Sequence, residues 1–260
     1  MSWAARRRIL YIFGVIVFFA IVVGGPIAYH VLTIPLTCHD GIQNQGETSI
    51  DHGGPCLMLD ENALEPSAVL WTRALKVRGG LFDAITYIDN PNQSAGVLSA
   101  PYQLDMYDSQ NVLVASVTGT TFVMPGGVTP VFIGGVDTGN REAVHAQFRF
   151  TDPLQWERVI GIAQGIVISN QQVSQDASSS KVTAFVTNTS VAPIANLTFV
   201  ATVFDPGGNA IATSQTALPR LNAQDKQQIF FTWPDNFSAP VGRVDIIAVV
   251  APEPDPSAHR

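Results

Sequence analysis

The 260-residue sequence predicts a mainly β protein in which one N-terminal transmembrane helix precedes two tandem antiparallel β-sandwiches. Three observations support this fold class. One apolar segment accounts for the positive mean hydropathy of the whole chain. Over the remainder, short segments with a β-strand pattern alternate with turn residues, and the order of those segments repeats once. The length allows one to two domains behind the apolar segment.

The apolar segment covers residues 9–32 and contains no charged residue. The mean hydropathy of +0.20 amounts to a total of about +52, and this segment alone contributes about +54. As a helix it would span about 36 Å, enough to cross a bilayer. A cleaved signal peptide is the alternative, but its apolar region would be about 7–15 residues long and followed by a small-residue cleavage site. The sequence therefore favours an uncleaved anchor.

Arg6, Arg7 and Arg8 directly precede the apolar segment. By the positive-inside rule they predict that residues 1–8 form a cytoplasmic tail at the plasma membrane and that the rest of the chain is extracytoplasmic. The exterior then carries 11 Lys and Arg against 21 Asp and Glu, a net charge of −10. This acidic balance argues against nucleic acid as a partner.

The most distinctive local stretch lies between Cys38 and Cys56, the only two cysteines, both beyond the apolar segment. It resembles a short cysteine-rich module found beside membrane anchors, C-x-D-G-x-x-N-x-x-E-T-x-x-D-C-G-G-x-C. Position 52 departs from the module, because His52 stands where the module has a cysteine. The resemblance implies export and leaves Cys38 and Cys56 as the natural disulfide pair, consistent with an oxidising compartment. The matching residues are Cys38, Asp40, Gly41, Asn44, Glu47, Thr48, Asp51, Gly53, Gly54 and Cys56.

Two metal sites are alternatives for this stretch. A zinc site would use soft and imidazole donors, and a calcium site would use oxygen donors. Neither the zinc-finger spacing nor the EF-hand spacing is present, so we expect a disulfide-closed acidic loop with no metal and no cofactor. The zinc donors would be Cys38, His39, His52 and Cys56, and the calcium donors Asp40, Asn44, Glu47 and Asp51.

Short β-branched or alternating segments fill the rest of the chain and are separated by turn clusters such as Asp89-Asn90-Pro91-Asn92. Their spacing of roughly 8–12 residues favours antiparallel sandwiches over βαβ units. We expect a bridged loop and connector over 33–66, sandwiches over 67–151 and 159–252, a linker over 152–158 and a disordered tail over 253–260. The predicted strands cover 75–77, 81–88, 102–107, 112–117, 131–133 and 143–150, then 160–168, 181–187, 197–204, 210–214, 227–232 and 244–250.

The two predicted sandwiches share an internal repeat. In each, an Asn-rich turn precedes an alternating strand that ends in Asp, with 18 residues from Asn90 to Asp108 and 17 from Asn188 to Asp205. Asn ends a strand well because it tolerates left-handed backbone, and Asp opens a tight turn. Strand residues Ala115 and Ala212, then Phe132 and Phe230, follow at matching distances.

The strand and turn unit, aromatic-x-Leu-aromatic-Asp after an Asn-rich turn, resembles the FxLYD and late-embryogenesis-abundant type 14 group of immunoglobulin-like sandwiches. The stretch from Leu197 to Asp205 matches better than its counterpart in the first repeat. The resemblance implies immunoglobulin-like domains displayed at a surface, and it carries no catalytic residues to this chain.

No catalytic motif is present: the sequence has no G-x-S-x-G, H-E-x-x-H, P-loop or dinucleotide fingerprint. We therefore expect a non-enzymatic envelope protein that binds another protein. The alternatives are a structural or accessory subunit of a larger membrane complex and a metal- or ligand-binding accessory protein.

Overall fold

The structure is a computed structural model that describes residues 3–33, 38–160 and 165–259. It confirms the predicted fold class, because an N-terminal apolar helix precedes several antiparallel sheets. The helical part consists of α1 (Trp3–Phe19), a π-helical turn (Ala20–Gly24) and α2 (Gly25–Thr33).

The helix begins at Trp3, so the predicted tail over residues 1–8 is largely part of it. Ala and Arg are good helix formers, and the Arg7 guanidinium lies 4.2 Å from the Trp3 ring one turn earlier. The π-helical turn directly precedes Gly25 and Pro26, where proline has no N–H to continue the regular hydrogen bonds. Residues Arg6–Tyr29 are long and apolar enough to cross a membrane, and none of them is buried against the rest of the protein.

The first sandwich consists of two antiparallel sheets. One has the strand order β1-β2-β5, and the other pairs β4 and β6 on either side of β3, with β7 beside the first residues of β3. The strands are β1 (Ala68–Arg78), β2 (Leu81–Asn90), β3 (Ala95–Tyr107), β4 (Leu113–Val123), β5 (Gly127–Asp137), β6 (His145–Phe150) and β7 (Glu157–Ile160).

The second sandwich repeats this topology with the sheets β8-β9-β12 and β11-β10-β13. Strands β8 to β13 correspond in order and pairing to β1 to β6, so the internal repeat predicted from the sequence is a structural repeat. The strands are β8 (Ile166–Gln175), β9 (Ser180–Asn188), β10 (Ile194–Phe204), β11 (Ala210–Leu221), β12 (Lys226–Trp233), β13 (Arg243–Val249) and β14 (Glu253–Pro254).

Asn90 and Asn188, at equivalent positions of the repeat, have the same structural role in the two sandwiches. Asn90 is fully buried and donates its side-chain N–H groups to the carbonyls of Ala95 and Met124. Asn188 is equally buried and donates to the carbonyls of Ala192 and Leu221. Each therefore ties the end of one strand to the two strands that follow it, which satisfies backbone groups that would otherwise be buried without partners.

Each sandwich has its own apolar core between its two sheets. The alternation predicted for the central strands is observed, since Leu104 and Met106 on β3 and Phe199 and Val203 on β10 are fully buried. Burying one such side chain stabilises the folded state by roughly 1.5–3 kcal/mol.

A third apolar cluster joins the two sandwiches through the outer faces of sheets β1-β2-β5 and β11-β10-β13. The Trp71 ring centroid lies 4.3 Å from that of Tyr87 and 6.0 Å from that of Phe204, across the interface. Burial raises the pKa of Tyr87 to about 12. The four sheets therefore stack as successive layers, with the first sandwich packed face to face on the second.

Two predictions about the chain between and after the sandwiches are wrong. The segment 152–158 is not a free linker, since Trp156 is 3% exposed and β7 begins at Glu157. The described part of the 253–260 tail is ordered, because Glu253 and Pro254 pair with Ile160 and Val159. Elements of four and two residues leave no periodic pattern in a sequence. The predicted strand over 160–168 falls partly on residues 161–164, which lie outside the described residues.

Candidate interaction surface and disulfide-closed loop

Cys38 and Cys56 form the disulfide that the sequence analysis predicted, with their Cα atoms 5.6 Å apart. Both are almost completely buried. Their sulfur atoms are bonded to each other and are therefore not thiolate donors, which removes the Cys2His2 zinc alternative. The buried Glu47 carboxylate accepts the N–H groups of Asn44 and Asp51 beside this bond.

The other acidic side chains of the loop hold its backbone turns. Asp51 accepts the N–H groups of Asp40 and Gly41, and Asp40 in turn accepts that of Ile42. Carboxylates paired with N–H donors in this way shape a loop that has no regular secondary structure. The carboxylate oxygens of Asp40, Glu47 and Asp51, three of the four residues proposed above as calcium ligands, thus have a structural role in the loop.

The closed loop is attached to the sandwiches on two sides. On one side, the carbonyl of His259 accepts the N–H of Leu57, while the N–H of His259 donates to Pro55. On the other, the Arg158 guanidinium donates to the Gly54 carbonyl. The C-terminal tail, β7 and the loop thus form one base, which we call the helix-proximal clasp. Only five peptide steps separate Thr33 from Cys38, so the clasp lies within about 18 Å of the end of the helix.

The repeated Asp residues sit at equivalent hairpin turns, as the sequence predicted. Asp108 accepts the N–H groups of Val112 and Gln110, and these bonds together with Arg141 lower its pKa. Hydrogen bonds from the side chain and backbone of Asn209 likewise lower the pKa of Asp205. These carboxylates shape turns, and neither belongs to a paired-carboxylate site.

Comparison of the two repeats shows which sheet faces remain free. The outer face of β1-β2-β5 is covered by the second sandwich, whereas the equivalent face of β8-β9-β12 packs against no described part of the chain. On this free face, Thr183 and Phe185 stand where Ile85 and Tyr87 stand in the first repeat, and Phe230 stands where Phe132 does.

Phe185 and Phe230 on this free face are each accompanied by a lysine. The Lys226 ammonium lies 4.5 Å from the Phe185 ring centroid, and the Lys181 ammonium lies 4.5 Å from that of Phe230. Phe230 is 45% exposed. We call this set of four side chains the Phe–Lys face. The sequence repeat pairs Phe230 with Phe132, but a single sequence does not show that Phe132 is partly buried between the sandwiches whereas Phe230 faces solvent.

The opposite free face, on β4-β3-β6, is polar. Asp105 is 4% exposed. Its carboxylate accepts hydrogen bonds from Ser116 at 2.5 Å and Gln103 at 2.8 Å, and it forms an ion pair with Arg149 at 2.7 Å. Burial alone would raise the pKa of Asp105, but these partners outweigh it and lower the pKa. The structurally equivalent positions on β10 and β13, Val200, Thr202 and Ile247, lie in the interface between the sandwiches.

No protein-family model and no curated protein matches this chain. Among solved structures, part of red sea bream transglutaminase is similar, with 12% identity, a TM-score of 0.22, and coverage of 72% of this chain and 31% of that one. An exo-chitosanase, CsxA, from Amycolatopsis orientalis gives 14% identity, a TM-score of 0.20 and coverage of 65% and 25%. The chain spans less than a third of either protein, and at these similarities we transfer no activity from them.

Proposed function

We propose that this chain is a non-catalytic, single-pass protein of the plasma membrane that binds another envelope protein through the Phe–Lys face. The helix over Arg6–Tyr29 would be an uncleaved anchor with its N-terminus in the cytoplasm, because Arg6, Arg7 and Arg8 lie at that end. The Cys38–Cys56 disulfide supports an extracytoplasmic position for everything that follows.

The observation that carries this proposal is the equivalence of the two outer faces. In the first repeat this face is buried against a β-sandwich, and in the second it presents the exposed ring of Phe230 and the partly exposed ring of Phe185. Aromatic residues in such positions often anchor protein interfaces. The lysines at their edges favour a partner whose docking face is uncharged at its centre and acidic at its rim.

Anchoring contributes to such binding. The helix-proximal clasp holds the sandwiches close to the end of the helix, so an anchored protein and a membrane partner would meet in a thin layer. This confinement raises their effective concentration and allows a face of modest area to bind.

Photo-crosslinking in the native membrane tests this function. A photoreactive amino acid at position 230 should give a discrete crosslinked product, and Phe185→Asp in the same chain should abolish it. The matched control places the same probe at position 118, on the polar face of β4. Equal products from positions 230 and 118, or none from 230, would contradict the proposal.

The alternative, a subunit of a larger membrane complex, predicts a different outcome of the same experiment. Its helix would pack against neighbouring helices, with the small residue Gly14 as one contact point. A probe at position 14 would then give the principal product, and the full-length protein would co-purify with its partners at a fixed stoichiometry.

A further inference from the structure

A cleft of about 270 Å³ opens between the two sandwiches, at the edge of their interface. Strands β4 and β5 of the first sandwich form one wall, and β10, β11 and β13 of the second form the other. The cleft therefore exists only because the two sandwiches are packed together. Its volume is near the lower end of the roughly 300–1,000 Å³ that small-molecule sites occupy.

The lining of this cleft contains no charged residue, although residues 33–260 together carry a net charge of −10. An ionic ligand would lose hydration there without gaining an opposite charge. The ligand class that this lining favours is therefore neutral.

Five hydrogen-bonding side chains in the cleft make no hydrogen bond to any other described part of the chain. This contrasts with Asn90 and Asn188, whose amides are fully used within the fold. Donors and acceptors left available around one concave site can fix the orientation of a polar ligand. The five residues are Tyr102, Thr120, Asn196, Thr198 and Gln215.

Three aromatic side chains accompany these polar groups. Tyr102, Phe122 and Phe132 line the cleft and are all partly exposed. The Tyr102 ring is held by stacking on Phe148, with ring centroids 5.0 Å apart. Flat apolar rings beside uncharged amides and hydroxyls complement a pyranose ring, because a pyranose has a face of C–H groups and a rim of hydroxyl groups.

We propose that this inter-sandwich cleft binds a short neutral saccharide of one or two pyranose units. Phe122 and Tyr102 would contact the C–H face of the sugar, and Asn196 and Gln215 would bind its hydroxyl groups. Asn196 adopts a left-handed backbone conformation within β10, with φ of +54°. This site is separate from the Phe–Lys face, so either proposal can fail without the other.

The test uses the full-length protein in lipid nanodiscs, because common maltoside detergents are themselves saccharides. Saturation-transfer NMR would be recorded with maltose and with N,N′-diacetylchitobiose, each at millimolar concentration. We expect transfer to the ring C–H protons of at least one of the two. We expect it to fall at least fivefold in Phe122→Ala and in Asn196→Gly, the second of which removes the amide without adding backbone strain.

Phe230→Ala is the matched control, because it removes an exposed ring from the other face and should leave the transfer unchanged. Unaltered tryptophan fluorescence would show that each variant keeps its fold. The proposal is overturned if neither saccharide shows transfer, or if Phe122→Ala and Asn196→Gly bind as the unchanged protein does.

Discussion

Asp105 shows how one residue marks a face as exposed. It lies on the central strand of the β4-β3-β6 sheet, on the side away from the core, and its carboxylate is held by Ser116, Gln103 and Arg149. The equivalent residue in the second repeat, Thr202, lies at the interface between the sandwiches. The outer face of β4-β3-β6 therefore carries a charged, hydrogen-bonded network and is free. The equivalent face of β11-β10-β13 carries apolar residues and is packed against the first sandwich.

The lowered pKa of Asp105 predicts a pH-dependent contribution to stability. Because the pKa is lower in the folded chain than the value of 3.8 expected when unfolded, the contribution is fully present above that value and is lost as pH falls through the folded pKa. Asp105→Asn should lower the free energy of unfolding by about 1–2 kcal/mol at pH 7. Urea titrations at pH 7 and pH 3 check this, and a difference that persists undiminished at pH 3 would contradict the pH argument.

Residues whose role is local could be predicted from the sequence, and residues whose role depends on a distant partner could not. Asn90, Asn188, Asp108 and Asp205 were recognised because an Asn or Asp at a strand end acts on its own turn. The pairing of Asp105 with Arg149 spans 44 positions and needs the sheet register, which a single sequence does not provide.

At the level of elements, the same distinction explains why β7 and β14 were missed. Neither is long enough to show alternation, and both are held by backbone hydrogen bonds to distant segments, such as the bond from the Asp255 N–H to the Arg158 carbonyl. The longer strands were predicted correctly in type and order, but several extend beyond their predicted ends because edge residues continue the ladder without an apolar signal.

Removing the C-terminal tail should expose the disulfide. Deletion of residues 251–260 takes away β14 and the backbone bonds that His259 makes with Leu57 and Pro55. We expect the Cys38–Cys56 bond to be reduced by dithiothreitol about tenfold faster, because the cover over two buried sulfurs is lost. Thiol titration over time measures the rate. In His259→Ala, which keeps the backbone hydrogen bonds, the disulfide should be reduced at the original rate. An unchanged reduction rate in the deletion variant would show that the tail does not protect the disulfide.

At the level of the whole molecule, the two sandwiches pack through faces that are not equivalent in the repeat. The first offers its β1-β2-β5 sheet and the second its β11-β10-β13 sheet, so the stack has two different free ends. Such a heterologous arrangement could in principle continue from chain to chain. The polar network around Asp105 disfavours this, because stacking another sheet on that face would bury an ion pair at a high desolvation cost.

Transferring the polar residues of the free face into the interface should separate the sandwiches. Val200→Gln with Ile247→Arg copies Gln103 and Arg149 onto the packed face, where the two long polar side chains would lose hydration among the apolar residues of the interface. Because the helix buries nothing against the sandwiches, residues 38–260 suffice for this test. We expect a larger radius of gyration by small-angle X-ray scattering. We also expect the pKa of Tyr87 to fall from about 12 towards 10 in a spectrophotometric titration, because its ring would become solvated.

Thr118→Arg, which adds the same charge on a face that is already exposed, should change neither the radius of gyration nor the pKa of Tyr87. A double variant that scatters and titrates like the unchanged chain would show that the apolar cluster does not hold the sandwiches together.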